Sequence, residues 1–565
     1  MMMPSRSVVA AAAFLAWAAG AAAQSPPDTS HQDSLVREAL QRYQAGLDAI
    51  QQGDLAAPTT LSQPANRPVR DIRLTEVVEL SLAKNLDIAV ERLSPQAVDL
   101  QIAGIKNTYL PVVTSQVGQR DFYQLPRDQL QGGQRVSIAT TTYNAALTQN
   151  TPWYGGNFAL TWNNNMQDSS SSFVTFNPTF TSSLTATYTQ PLLRGLVIDQ
   201  ARQQLAITQI NREIAEETLR ATVTQTLSNV RQAYWDLVFA RSAVDVAQRA
   251  LQLADKFVED NRARVEVGTL APLDIVQAEA ESATRRQALA LAEATERTAE
   301  LALKRYIVSG TEDPLWRHEL RPIDLPALEP APTDIEGAVR RGLERRTDLI
   351  TARKNLQGSD VNLRYLRNTT LPELDLLASY GGQGIGGTSI RRGSLGGDII
   401  DTVPGGYGDA LRLLTNRDYP NWNLQVNLTY NLFGSAQEAQ YARARVQKNQ
   451  SQARLRALEL QVATEITNAA LSVQSNLKRV EAAVAARELA EKRLEAEQSK
   501  FEVGMSVNFF VVQAQRDLRD AQNTELRALA DYRKSLVVFE RAQESPSGGS
   551  GSPGSALALI LTGGQ

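Results

Sequence analysis

The chain carries two unequal copies of one pattern. The segment Arg264-Val-Glu-Val-Gly268-Thr-Leu-Ala-Pro-Leu-Asp274-Ile-Val-Gln-Ala-Glu279 returns, without a gap, as Lys500-Phe-Glu-Val-Gly504-Met-Ser-Val-Asn-Phe-Phe510-Val-Val-Gln-Ala-Gln515. Upstream, Leu82-Ala-Lys-Asn-Leu-Asp87-Ile resembles Leu343-Glu-Arg-Arg-Thr-Asp348-Leu, and Leu110-Pro111 matches Leu371-Pro372 at the same offset. A repeated unit constrains a fold more than any single motif, because both copies must bury their faces with the same order of elements. The copies cover 72–310 and 334–542. Each reads as a helix, a Leu-Pro stop, a strand-rich stretch, a very long helix, a Val-Gly turn and another helix.

Periodicity defines the helical parts. Leu219, Val223, Leu227, Val230, Tyr234 and Leu237 step by three and four, as do Leu455, Leu458, Val462, Ile466, Ala469, Val473, Leu477, Val480 and Val484. These are narrow stripes of the coiled-coil kind. From about 198 to 266 no proline or glycine intervenes, which at 1.5 Å per residue predicts a helix of roughly 100 Å. Abundant alanine permits close helix approach, and the Arg, Glu and Gln between the stripes read as solvated faces.

The stretches 112–190 and 374–430 have a different rhythm. Val112 to Val117, Phe158 to Trp162, Leu184 to Tyr188 and Leu424 to Tyr430 alternate apolar and polar residues. Alternation over about ten residues suits a membrane barrel strand, greasy outside and polar inside, and a soluble sandwich would alternate in the same way. Trp153, Trp162 and Trp422 fall here beside Tyr154, Tyr188, Tyr419 and Tyr430, as an interfacial aromatic belt requires. If the flanking helices stay on one side of a membrane, each patch crosses an even number of times. The second patch has room for two strands around a Gly-rich outer loop, 381–420. The first, longer patch holds two strands with a non-spanning hairpin, or four. So few strands cannot close a barrel, since the smallest membrane barrels have eight, so several chains must share one.

Arg6, the apolar run Val8–Ala19 and Ala21-Ala22-Ala23 read as a secretory signal peptide, 1–23. No later run reaches the 18 or so apolar residues of a membrane-spanning helix, so any membrane anchorage comes from strands. Residues 24–71 read as a partly disordered periplasmic leader, 311–333 as a linker, and the Ser/Gly/Pro-rich 543–565 as a flexible tail. The chain has no cysteine, which excludes disulfides, thiolate metal sites and a lipid-modified Cys. A net charge of -3 over 565 residues gives no reason to expect nucleic acid as a partner. Two histidines, His31 and His318, leave almost no material for His-based catalysis or metal binding. Gly382-Gln-Gly384-Ile-Gly-Gly387 spells a dinucleotide fingerprint but is not followed by a helix, so it reads as a loop. No cofactor, metal or catalytic residue is expected, and the chain does not read as an enzyme.

The duplication, the Gln190-Pro-Leu-Leu-Arg-Gly195 strand-to-helix corner and the two Val-Gly turns resemble the TolC family of outer-membrane efflux proteins over about 72–542. The resemblance implies a mainly α fold with membrane β-strands. In it a homotrimer shares a twelve-stranded β-barrel in outer-membrane lipid, continuing as an α-helical barrel across the periplasm. It also implies an exit duct of a tripartite efflux or type I secretion system, passing drugs, ions or proteins from an inner-membrane RND or ABC pump through a periplasmic adaptor. A poreless periplasmic coiled-coil scaffold is the alternative.

In the family the Val-Gly turns are periplasmic tips that dock the adaptor. This points to Val267, Gly268, Thr269 and Leu270, and to Val503, Gly504, Met505 and Ser506. The pore constriction departs from the family pattern. Carboxylates six and nine residues after the second glycine are replaced by Phe510 and Gln513, and the Tyr and Arg latch positions by Phe501 and Ser506. Asp274 alone is kept. The hydrogen-bonded latch cannot form with these residues. Either Phe509 or Phe510 closes the pore as an aromatic ring, or both pack inward between helices.

Overall fold

A computed structural model describes residues 67–124, 135–171, 173–268, 271–324, 333–394, 397–432, 434–503 and 505–546. The expected signal peptide, most of the leader and most of the tail lie outside them. In chain order the elements are β1 (Val69–Ile72), α1 (Leu74–Lys84), α2 (Leu86–Glu91), α3 (Ser94–Lys106), β2 (Val112–Gln124), β3 (Val136–Asn150), β4 (Asn157–Ser169), β5 (Phe176–Pro191), α4 (Gln200–Glu266) and α5 (Pro272–Ile307). There follow α6 (Pro314–Arg317), β6 (Glu319–Pro322), α7 (Ile335–Arg345), α8 (Thr347–Thr369), β7 (Glu373–Arg392), β8 (Ile399–Val403), α9 (Tyr407–Asn416), β9 (Pro420–Thr429), α10 (Ala436–Glu502) and α11 (Asn508–Ala542).

Two compact units are distinguished. The smaller comprises, of the described residues, 67–71 and 308–321. There β1 pairs with β6, and Arg321 clasps Asp71 through Nε at 2.6 Å and Nη2 at 3.0 Å. Everything below concerns the larger unit.

Its two longest helices, α4 and α10, each have 67 residues, or roughly 100 Å. Side chains start both: Asp199 accepts from Arg202 N at 2.7 Å and Ser435 from Glu438 N at 3.1 Å, each satisfying a donor that the first turn leaves unpaired. The strand-to-helix corner before α4 turns at Gly195, with φ +87. Arg202 holds it by donating to the carbonyls of Gly195, Leu196 and Val197 at 2.5, 3.0 and 3.0 Å. The expected stripes are core. Val462, Ile466, Ala470, Val473 and Val480 on α10 are buried against Ala528 and Tyr532 of α11, with Ala338 of α7 and Leu349 of α8 in the same cluster. On α5, outside those two stripes, charged residues are buried as well. Glu281 with Arg285, and Glu300 with Lys304, are buried ion pairs on α5, because α5 has packed neighbours on more than its apolar stripe.

The strand patches form one antiparallel sheet, ordered β2-β3-β4-β5-β7 with β9 next on β7 and the short β8 paired to the far part of β7. The first patch therefore holds four strands. With β7 and β9 the sheet has six long strands per chain, against the four behind a twelve-stranded trimer. The sheet's two faces differ sharply. Register puts Val113, Val117, Leu147, Phe158, Leu160, Trp162, Leu184, Tyr188, Tyr380, Trp422, Leu424, Val426 and Leu428 on one face. The other carries Thr114, Gln116, Thr142, Thr161, Asn163, Ser183, Thr185, Asn423, Gln425 and Asn427.

The Gly-rich stretch expected as a loop is also corrected. It is the continuation of β7, and within 381–420 lie β8 and α9 as well. Gly382, Gly384 and Gly386 alternate onto the apolar face, where α9 lies so close that a Cβ at Gly384 would sit 1.9 Å from the Ala410 carbonyl oxygen, and one at Gly386 2.4 Å from that of Gly406. The glycines are there for close backbone approach rather than for a turn. Tyr407 pins the helix by donating to Asn164 Oδ1 at 2.7 Å, which also accepts from Ser182 Oγ at 2.7 Å.

Candidate docking tips and constriction

At the far ends of α4 and α10 from the sheet, the chain reverses into α5 and α11. After α4, Val267 N–H bonds the Ala263 carbonyl at 3.2 Å and Gly268 N–H that of Val265 at 3.0 Å. Gly268 has φ +76, with open space where a Cβ would stand. Glycine is required there by backbone conformation, as at many helix ends, and not by crowding. After α10, Val503 N–H bonds the Ser499 carbonyl at 3.3 Å and Met505 N–H reaches back to that of Lys500 at 2.8 Å. Thr269, Leu270 and Gly504 lie outside the described residues.

The tips present apolar side chains to solvent. Val267, Val503 and Met505 are 74%, 70% and 80% exposed, and Leu273, Val276 and Val507, which sequence reasoning did not single out, are exposed as well. Ser506 is half-buried and donates to Glu497 Oε2 at 2.9 Å, while Lys500 Nζ holds Oε1 at 2.8 Å. Lys500 first, and Ser506 second, keep the Glu497 carboxyl below its ordinary range. The family's cationic latch position is thus occupied by a serine tied within its own hairpin.

The constriction candidates separate into two groups. Phe509 and Phe510 stand in the first turn of α11, both exposed, with edge-to-face rings 5.6 Å apart. Within the single chain they do not pack between helices. Phe501 does: its ring lies 5.9 Å from Phe257 of α4, and the Arg264 guanidinium sits 4.8 Å above it, a cation–π arrangement. Leu494, Val511 and Ala514 complete that seam. Asp274 is half-buried in the first turn of α5, where its backbone carbonyl receives Asn508 Nδ2 at 3.4 Å. Gln513 donates to Asp517 at 2.8 Å one turn further along α11.

One cluster near the tips was not foreseen. Glu281 pairs with Arg285 on α5 and accepts from Arg516 Nη2 of α11 at 2.5 Å. It ties the α4–α5 hairpin to the α10–α11 hairpin, as do the Phe257–Phe501 contact and the Asn508 bond. A signal existed in the repeat: Glu281 aligns with Asp517, and Phe257 with Arg493. In the second copy that pair forms an ordinary bridge at 2.8 Å, whereas the first copy splits it.

Among the described residues no group of acidic or histidine side chains is arranged to hold a metal ion. No described helix is long and apolar enough to cross a membrane, a statement that leaves the strands untouched.

A family model for outer membrane efflux proteins matches residues 135–307 and 338–542. The chain belongs to that family, which places it among transport proteins rather than enzymes. Solved structures agree in fold. The CmeC outer membrane channel of Campylobacter jejuni is 15% identical with a TM-score of 0.60, covering 86% of this chain and 90% of its own. The outer-membrane channel OprN is 18% identical with a TM-score of 0.61 over 86% and 97%. The outer membrane protein VceC of Vibrio cholerae is 14% identical with a TM-score of 0.59 over 83% and 96%. No curated protein sequence matches significantly.

Proposed function

We propose that this chain assembles as a homotrimeric exit duct in the bacterial outer membrane and serves a tripartite efflux or type I secretion system. Cargo passes from an inner-membrane RND or ABC pump through a periplasmic adaptor. One observation carries the reading: the same unbroken helices, α4 and α10, have an apolar-faced sheet at one end and an exposed apolar tip at the other. The sheet suits lipid outside and water inside. The tips suit a protein partner, since exposed apolar groups gathered in one place mark an interaction surface. Residues 1–23 are removed on export, 24–71 stay in the periplasm, and 72–310 and 334–542 form the duct.

Val267–Leu270 and Val503–Ser506 dock the adaptor's helices. Phe509 and Phe510, brought together by three copies around one axis, close the pore by bulk and by excluding water; Asp274 adds its charge at the rim of the same end.

Two measurements test this. Trp at Gly268 and at Gly504 should abolish export and adaptor cross-linking in a trimer that still reaches the outer membrane, and unaltered export would overturn the docking assignment. Phe510→Ala should raise closed-state conductance in planar bilayers, while an unchanged closed state would overturn the aromatic gate.

A further inference from the structure

The six long strands raise a question that the family pattern does not answer: whether β2 belongs to the membrane wall. We propose that it does, and that β2 of one copy pairs with β9 of the next. The barrel then has six strands per chain, and eighteen in the trimer. The inference rests on the homotrimer reading above.

Three observations support it. First, β2 is hydrogen-bonded to β3 along its whole length, Val112 opposite Thr148 through Gln124 opposite Val136, so it is a full member of the sheet. Second, the half of β2 nearer the helices continues both chemical faces, and Gln119 and Asp121 take the apolar side only beyond Val117. Val113 and Val117 extend the apolar side and are 73% and 66% exposed, like Leu424, Val426 and Leu428 on β9 at 62%, 59% and 66%. A hairpin folded into the lumen would have no use for an apolar row in register with the lipid-facing rows of its neighbours. Third, the extra β3–β4 turn is anchored where the other strands meet the helices. Gln149 Nε2 and Asn150 Nδ2 donate to the carbonyls of Tyr109 and Thr108, both at 3.3 Å, and Gln190 Nε2 donates to that of Tyr154 at 2.8 Å.

The two edges then have one solution in lipid. No described strand pairs with the outer edge of β2, or with the outer edge of β9. Unpaired strand edges are not tolerated in hydrocarbon, where each unsatisfied backbone group costs several kcal/mol. With an even number of alternating strands, β2 rises where β9 descends, so the seam is antiparallel like every other pair in the sheet. Barrel diameter grows roughly linearly with strand number, and barrels of 16–18 strands enclose an aqueous channel. The wall would be about one and a half times as wide as a twelve-stranded one, and lined with Thr, Ser and Asn. Such a barrel does not select among solutes; selection is left to the tips.

The absence of native cysteine makes the test clean. Cysteines placed at Val113, Ser115 or Val117 would be combined with cysteines at Trp422, Leu424, Val426 or Leu428, and the full chain oxidised in outer membranes. Facing residues of paired strands come within disulfide reach. At least one combination should give a covalent ladder ending at three chains, whereas Ala145→Cys on β3 should give none with the β9 positions. A three-chain species with no β2–β9 cross-link, or with β3–β9 cross-links, would overturn the eighteen-strand wall and leave the trimer standing. A single-chain species would overturn both.

Discussion

The buried cluster at Glu281 makes the sharpest prediction about the helical end. Glu281 and Arg285 are 4% and 5% exposed, whereas the Arg516 side chain is 48% exposed. Removing one partner of a buried pair strands the other charge and costs about 3–5 kcal/mol, while an exposed pair is worth about 0–1 kcal/mol. Glu281→Ala should therefore loosen the segment around α5 and α11 by about 3–5 kcal/mol, and Arg516→Ala by no more than about 1 kcal/mol. Glu281→Leu combined with Arg285→Leu removes both charges and should restore most of the loss. Native-state hydrogen exchange of amides in 278–286 and 511–519 reads these values directly. At 1.4 kcal/mol per tenfold, exchange should quicken roughly a hundredfold to several thousandfold in Glu281→Ala and about fivefold at most in Arg516→Ala. Equal effects of the two alanine variants would refute the argument from burial. So would a Leu–Leu variant as unstable as Glu281→Ala.

Further predictions concern packing, the rim and pH. A Cβ at Gly342 would lie 2.2 Å from Ile466 Cδ1, so Gly342→Ala should cost about 1–3 kcal/mol; adding Ile466→Val deletes the colliding atom and should recover most of it, as thermal unfolding by circular dichroism would show. Gly384→Val drives a side chain into the backbone of α9 and should expose 407–416 to protease on intact cells, with the helical end unaltered. Glu497 has a lowered pKa in the folded chain, so its contribution at the tip is complete above the ordinary carboxylate value and is lost as pH falls through the lowered one. Protection at 497–507, corrected for the intrinsic pH dependence of amide exchange, should stay flat from pH 7 to 5 and fall only in more acidic buffer, and Glu497→Gln should abolish that fall.

The sequence revealed what depends on local chemistry. The turn at Gly268 was legible because a left-handed helix stop needs glycine, and α4 because nothing in 200–266 interrupts an apolar stripe. The strands of the first patch were harder to count. In β3 the run Thr140-Thr-Thr places threonine on both faces, so alternation is weak until Tyr143 and Leu147. The glycines of β7 misled for a related reason: glycine marks a turn or a close approach equally well, and only α9 lying on Gly384 decides which. The burial of Glu281 and Arg285 had no local signal, because one sequence does not show how many neighbours a helix has. Phe501 and Phe510 are nine residues apart with the same side chain, yet one fills a helix seam and the other faces solvent.

In the proposed membrane wall the sheet has lipid on one face and water on the other. Single cysteines along β9 test it most directly, since the chain has none of its own. In outer membranes, a water-soluble maleimide should label Asn421, Asn423, Gln425 and Asn427 positions, and a lipid-phase reagent those of Trp422, Leu424, Val426 and Leu428. Strict alternation is expected; water-soluble labelling at all eight positions would contradict a membrane wall.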